Sequence, residues 1–193
     1  MNYNFKLNNL DNKKLRGERV YLRPLIINDA QEIYEAIQCS LEKLREFPAT
    51  MIWALEEPSI ENSINFCRFM REQFERNKEI VFTIRINNSD ELIGLIGLHN
   101  IKWNIPRAEI GIWGNSCYSK NGYMTEAMKI LTHFLTNDLN FKRIEAFVDE
   151  ENINAIKICK NSKFDLEGIM RNALKNPLNN SLRNLCIYSI TAD

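Results

Sequence analysis

The run from Ser119 to Ala127 has residue types and spacing suited to holding an anion. In Ser119-Lys120-Asn121-Gly122-Tyr123-Met124-Thr125-Glu126-Ala127, small and polar residues with one glycine stand where an amphipathic helix begins. That helix turns Ala127, Ile130, Leu131, Phe134 and Leu135 inward. The first turn of a helix has N–H groups without helical partners and a partial positive charge, so a diphosphate can rest there without a side-chain cation. Gly122 lets the main chain approach such a ligand closely. Taken alone, the pattern equally fits a helix that opens at a glycine and binds nothing, so its surroundings must decide.

The other reactive side chains exclude more than they assign. Five cysteines (Cys39, Cys67, Cys117, Cys159 and Cys186) form no CxxC pair, and the two histidines are His99 and His133. Neither a structural zinc site nor a disulfide framework is expected, and no metal is called for. Lys+Arg and Asp+Glu are both 25, which argues against a general nucleic-acid binder, since such a protein needs excess cations to displace counterions from phosphate. The start, Met1-Asn2-Tyr3-Asn4-Phe5-Lys6, lacks the apolar run of a signal peptide. No apolar stretch approaches the roughly 20 residues that span a bilayer, so no membrane partner is expected and the expected compartment is the cytoplasm.

A chain of 193 residues, 45% hydrophobic and 26% charged, can bury one real core. Residues 1–15 are Asn- and Lys-rich and read as a loose arm, with a single domain over 16–193. Arg19–Arg23 reads as a strand that Pro24 ends. Asn28 and Asp29 cap a helix with Ile33, Tyr34, Ala36 and Ile37 on one face, and a second short helix is predicted from Leu41 to Phe47. Pro58-Ser59 opens a long helix with Ile60, Ile64, Cys67, Met70 and Phe74 inward. The period then changes to that of strands. Ile80–Ile86 and Leu92–Ile101 form a hairpin around Asn87-Asn88-Ser89-Asp90, and Ala108–Trp113 follows Pro106. After the helix behind Gly122 come a strand at Arg143–Val148, a helix at about Asn152–Asn161, and strands near Phe164–Met170 and Leu185–Ile190. This order predicts an α+β, mixed α/β fold.

Five pieces recur in one order along nearly the whole chain from about Arg19. They are Arg23-Pro24-Leu25, Leu92-Ile93-Gly94-Leu95-Ile96-Gly97-Leu98-His99, Arg107-Ala108-Glu109-Ile110-Gly111-Ile112-Trp113, Gly122-Tyr123-Met124-Thr125-Glu126-Ala127, and Asp149-Glu150-Glu151-Asn152 with Phe164-Asp165-Leu166-Glu167-Gly168. With these the chain resembles the GNAT N-acyltransferase superfamily, and within it the ribosomal-protein N-terminal acetyltransferases of the RimJ/RimL type. The resemblance implies a mixed sheet of about seven strands flanked by helices, splayed open between its fourth and fifth strands, here Glu109–Trp113 and Arg143–Val148. It implies acetyl-CoA as acetyl donor, its pantetheine arm lying along Ile112 and Trp113 like an added strand. The pyrophosphate would rest on backbone N–H groups near Ser119, Asn121, Gly122, Tyr123, Met124 and Thr125, with Asn152 beside the donor. Dimers are common in that superfamily, and a homodimer is the expectation it carries.

The chain departs from the pattern in four places. The usual phosphate loop reads Arg/Gln-x-x-Gly-x-Gly/Ala, and here Ser119 holds its first position and Met124 its last. Ala155 replaces a serine three residues after Asn152, and Lys163 replaces the glycine before Phe164.

An amine attacks only when neutral, so an acetyltransferase must accept a proton from it. Glu109, on the same strand face as Gly111 and Trp113, is the candidate base; the alternative is a strand glutamate paired with Arg107. The departing thiolate needs a proton, and Cys159 stands where relatives carry a tyrosine; the alternative is a small buried residue. Tyr188 is a second candidate donor. Acceptor-binding candidates are Phe47 and Trp53 (with Met51) as apolar walls, Glu56 (with Glu57) to draw a cationic amine, and His99 to orient it. Core packing and solvation are the alternatives for each. Three functions follow: acetylation of a protein N-terminal α-amine, acetylation of a polyamine or aminoglycoside, or CoA binding without transfer.

Overall fold

The computed structural model describes residues 7–192, apart from the side chain of Asn8. Among the described residues eight strands form one sheet: β1 (Leu15–Arg16), β2 (Val20–Pro24), β3 (Ile80–Ile86), β4 (Leu92–Lys102), β5 (Arg107–Gly114), β6 (Arg143–Asp149), β7 (Asp165–Lys175) and β8 (Leu182–Thr191). Their spatial order is β1-β2-β3-β4-β5-β6-β8-β7. Every adjacent pair is antiparallel except β5 and β6. Four α-helices flank the sheet: α1 (Ala30–Leu44), α2 (Ile60–Glu75), α3 (Tyr123–His133) and α4 (Ile153–Asn161).

Burial on both faces explains the near-continuous apolar runs of β3 and β4. Alternate residues serve different layers. Val81 and Leu95 pack with Ala30, Ile33, Ala36, Cys67 and Met70 of α1 and α2. Phe82, Ile96, Ala108 and Ile110 pack with Ala127, Met128 and Leu131 of α3. Ser59 starts α2 as its sequence suggests, its Oγ accepting from Asn62 N at 3.0 Å. A buried ionic cluster sets the start of α1: Asp29 accepts from Arg23 at 2.5 Å and from Arg85 at 2.8 Å. Asp29 also accepts from Ile26 N at 2.8 Å, so its carboxylate caps the short turn ahead of α1.

The structure differs from the sequence reading in particular ways. No separate helix covers Leu41–Phe47, because α1 runs unbroken to Leu44 and the chain then turns, Phe47 O accepting from Thr50 N and Met51 N at 3.1 Å. Cys67, Met70 and Phe74 of α2 are buried as expected, whereas Ile60 is exposed and Ser63 and Gln73 join the inward face. The last two strands are longer than expected, and β1 raises the count to eight. Residues 1–6 of the expected arm lie outside the described residues. Further along it, Leu7 and Leu10 are buried against the core, and Leu7 N donates to Asn77 Oδ1 at 2.6 Å. Cys39 of α1 and Cys117 form a disulfide across 78 residues, a pairing that no local spacing announces.

Candidate active site

Two adjacent features of the sheet create the site. The first is a parting of strands. β5 and β6 pair in parallel at Arg107, Ala108 and Glu109, opposite Arg143, Ile144 and Glu145, and there the pairing stops, although β5 runs on to Gly114 and β6 to Asp149. The backbone of β5 from Ile110 to Gly114 is therefore available on that side to an extended ligand with amide groups. The second is the start of α3. Gly122, with φ of +76°, turns the chain into the helix, and the first helical bond there is Glu126 N to Gly122 O at 3.1 Å. The N–H groups of Tyr123, Met124 and Thr125 precede that bond and face outward at the positive end of the helix.

The loop before α3 is held from a distant part of the chain. Arg19 donates from Nη1 to Asn121 O at 2.8 Å and from Nε to Glu126 Oε2 at 2.8 Å, and its guanidinium lies 5.2 Å from the Tyr123 ring centroid. Glu126 also accepts from Arg19 N at 2.7 Å and Val20 N at 3.3 Å. Burial alone would raise the Glu126 carboxyl, but these donors outweigh it and hold the group below its ordinary range. Ser119, where a loop cation is usual, is exposed. Met124 folds back onto Gly114, where an added Cβ would come 2.8 Å from its sulfur. The bulk of Met124 is thus received by a glycine at the end of β5. These donors and this bare strand edge fit a long thioester with an extended amide arm and a diphosphate, and they do so through backbone groups that need no metal. Among the described residues, no group of three or more His, Cys, Asp or Glu could hold a metal ion.

On the α1/α2 face of the same strands lies a cavity of about 690 Å³. Its wall is largely apolar, with Ile33, Ile37, Phe66, Leu95, Ile112 and Trp113 among the lining residues. Trp53 leans over it, its ring centroid 6.0 Å from that of Trp113 at a tilt of 49°. Glu56 and Glu57 stand at the rim, and Glu57 is paired with Arg45 at 2.8 Å. His99, Gly97 and Gly111 form part of the floor.

The sequence candidates divide accordingly. Trp53, Glu56, His99, Ile112 and Trp113 come together around the cavity. Phe47 does not line it, because the turn after α1 carries Thr50, Met51 and Trp53 there instead. Glu109 is half-buried opposite His99 and does not line the cavity wall. Asn152 caps α4, its Oδ1 accepting from Ala155 N at 3.0 Å. Cys159 is buried in the core, its thiol pushed up to about 11 by burial, and Tyr188 is buried near it with its phenol pushed up likewise. Two residues were missed. Arg19 gave no local signal, since its partners lie more than a hundred positions on. Glu79, whose carboxylate meets His99 Nδ1 at 2.7 Å, gave none either.

Among helices, none in the described residues is long and apolar enough to cross a membrane. Comparison with known proteins agrees with the geometry. Residues 19–165 match the family model described as Acetyltransferase (GNAT) domain. A relative in Bacillus subtilis, the probable N-acetyltransferase YjcK, is 28% identical over 162 residues, covering 83% of this chain and 88% of that protein. The ribosomal-protein-serine acetyltransferase of Escherichia coli is 22% identical over 125 residues, 59% of this chain and 70% of that protein. The solved structure of RimL, a ribosomal-protein alpha-N-acetyltransferase in complex with coenzyme A, superposes with a TM-score of 0.82 at 17% identity, covering 94% of this chain and 99% of that one. The chain belongs to the GNAT family and is an acetyl-CoA-dependent N-acetyltransferase.

Proposed function

We propose that the acceptor is a protein N-terminal α-amine, acetylated by direct attack on acetyl-CoA in a ternary complex. The observation that carries this reading is the character of the acceptor cavity. A polyamine or aminoglycoside brings several cations and needs several carboxylates to replace its hydration. The wall here is mostly aliphatic and aromatic, with two glutamates at one edge, one of them already paired with Arg45. Such a cavity suits one amine followed by an apolar side chain. The names of the RimL neighbour and the E. coli relative, which specify ribosomal proteins, support the same class.

In this reading the two openings meet at β5. The donor lies along Ile112 and Trp113, with its phosphates on the N–H groups of Asn121 to Thr125 and Asn152 alongside. The acceptor enters between Trp53 and Trp113, with Glu56 facing its charge. The two openings share Ile112 and Trp113 where β5 has parted from β6, which lets nitrogen and thioester carbon meet without any covalent enzyme intermediate.

Thiol release from acetyl-CoA, followed with Ellman's reagent, tests the assignment. Peptides with free N-termini and small apolar second residues should release thiol, and N-terminally blocked copies should not. Turnover of spermidine or an aminoglycoside, with the peptides inert, would transfer the assignment to small amines.

A further inference from the structure

The proton released by the acceptor amine needs a destination at the cavity floor, and the floor contains a built pair for it. His99 Nδ1 lies 2.7 Å from Glu79 Oε2. An ionised carboxylate only accepts, so whenever the ring is neutral this contact favours the tautomer with its hydrogen on Nδ1 and its lone pair on Nε2. The strands leave space for that ring. Gly97 and Gly111 are opposite each other in the β4–β5 register, and a Cβ added to them would come 2.9 Å and 3.5 Å from His99 Nε2. Both glycines and His99 line the cavity, the glycine pair two residues and His99 four residues along β4 from the Leu95–Trp113 pair. The imidazole thus occupies the space left by two side-chain-free positions, with Nε2 beside Gly111, in the stretch of β5 where pairing with β6 has ended.

We infer that His99 is the catalytic residue that takes the amine's proton, and that Glu79 is its positioning residue. The inference rests on the reading that an amine enters this cavity. One ammonium proton passes to Nε2. The nitrogen lone pair then forms the N–C bond as the C–S bond breaks with its electron pair on sulfur. The second nitrogen proton ends on the thiolate, and His99 returns its proton to solvent, so one proton is released per turnover. The charged groups around the ring are Glu79, just ahead of β3, Glu109 opposite on β5, and Glu56 and Glu57 at the rim. Arg107, further along β5, is directed to Glu145 at 3.7 Å. Glu109 lacks what His99 has, a partner that orients it toward the cavity.

The test is kcat/KM from pH 6 to 9 for the wild type and for His99→Gln, Glu79→Gln and Glu109→Gln. It uses whichever amine of the peptide and small-amine panel is acetylated, so a failure of the peptide reading leaves it intact. His99→Gln should lose about 100-fold at pH 7 and much less at pH 9, where more of the amine is already neutral. Its coenzyme A affinity and melting midpoint should stay near wild type. Glu79→Gln should lose about tenfold in kcat at pH 7 with KM little changed. Glu109→Gln should show no loss that is confined to low pH. An equal loss for His99→Gln at every pH, or transfer of the pH-selective loss to Glu109→Gln, would overturn the assignment.

Discussion

Met124 lays its thioether over the Cα of Gly114, so the first turn of α3 rests on the last residue of β5. This contact couples the two halves of the proposed donor site, the bare strand edge and the row of helix N–H groups. It also explains how the loop accommodates the bulk of Met124.

Gly114→Ala should push Met124 off the strand and tilt the N–H groups of α3. Coenzyme A affinity should fall on the order of tenfold by calorimetric titration, with a small change in melting midpoint because a methionine side chain can move. The double substitution Gly114→Ala with Met124→Ala should recover most of the loss. Failure to recover would mean that the contact is incidental.

Trp53→Ala removes one wall of the proposed acceptor cavity and the partner of the Trp113 ring. KM for the acceptor should rise about tenfold while KM for acetyl-CoA stays constant, since aromatic pairs and their burial contribute roughly 1–2 kcal/mol. Equal rises in both constants would place Trp53 in the scaffold instead.

The Cys39–Cys117 bridge closes a loop of 78 residues and ties α1 to the chain that leads into α3. Loop-closure entropy puts its contribution on the order of 4 kcal/mol. Reduction, or Cys39→Ser, should lower the melting midpoint by roughly 10 °C. Both cysteines are exposed, so reductant should reach the bond without prior unfolding.

Acid should destabilise the β6–β8–β7 edge in a defined window. Arg143, and then Ser189, donate to Glu167 and hold its carboxyl at about 2 in place of the ordinary 4.5. A depressed carboxylate stabilises the fold above its unfolded value, and the effect is lost as pH falls through the folded one. Urea midpoints should therefore drop between about pH 4.5 and 2, and Glu167→Gln should make that drop shallower. An unchanged slope would remove the pair from the acid response.

The strands and helices were legible where burial imposes a period. Ile80–Ile86 was read with its observed bounds because both faces of β3 are covered, and Ser59 announced α2 through a cap that acts over three residues. The sheet's parting was legible only through the family resemblance, since no local pattern at Ile110–Gly114 says that pairing stops. Long-range partners were invisible for the same reason. Glu79 reaches His99 across 20 positions and Arg19 reaches Asn121 across 102, distances at which composition and spacing carry no information. Phe47 misled because an aromatic residue after a helix reads as a wall, whereas the turn at Thr50 decides which side chains face the cavity.

Amide hydrogen exchange with and without coenzyme A probes the parted strands most directly. Slower exchange on binding is predicted at two places: the backbone of Ile110 to Gly114 and the N–H groups of Gly122 to Thr125. Saturating ligand that leaves both segments unchanged, or that protects a different face of the sheet, would contradict the account.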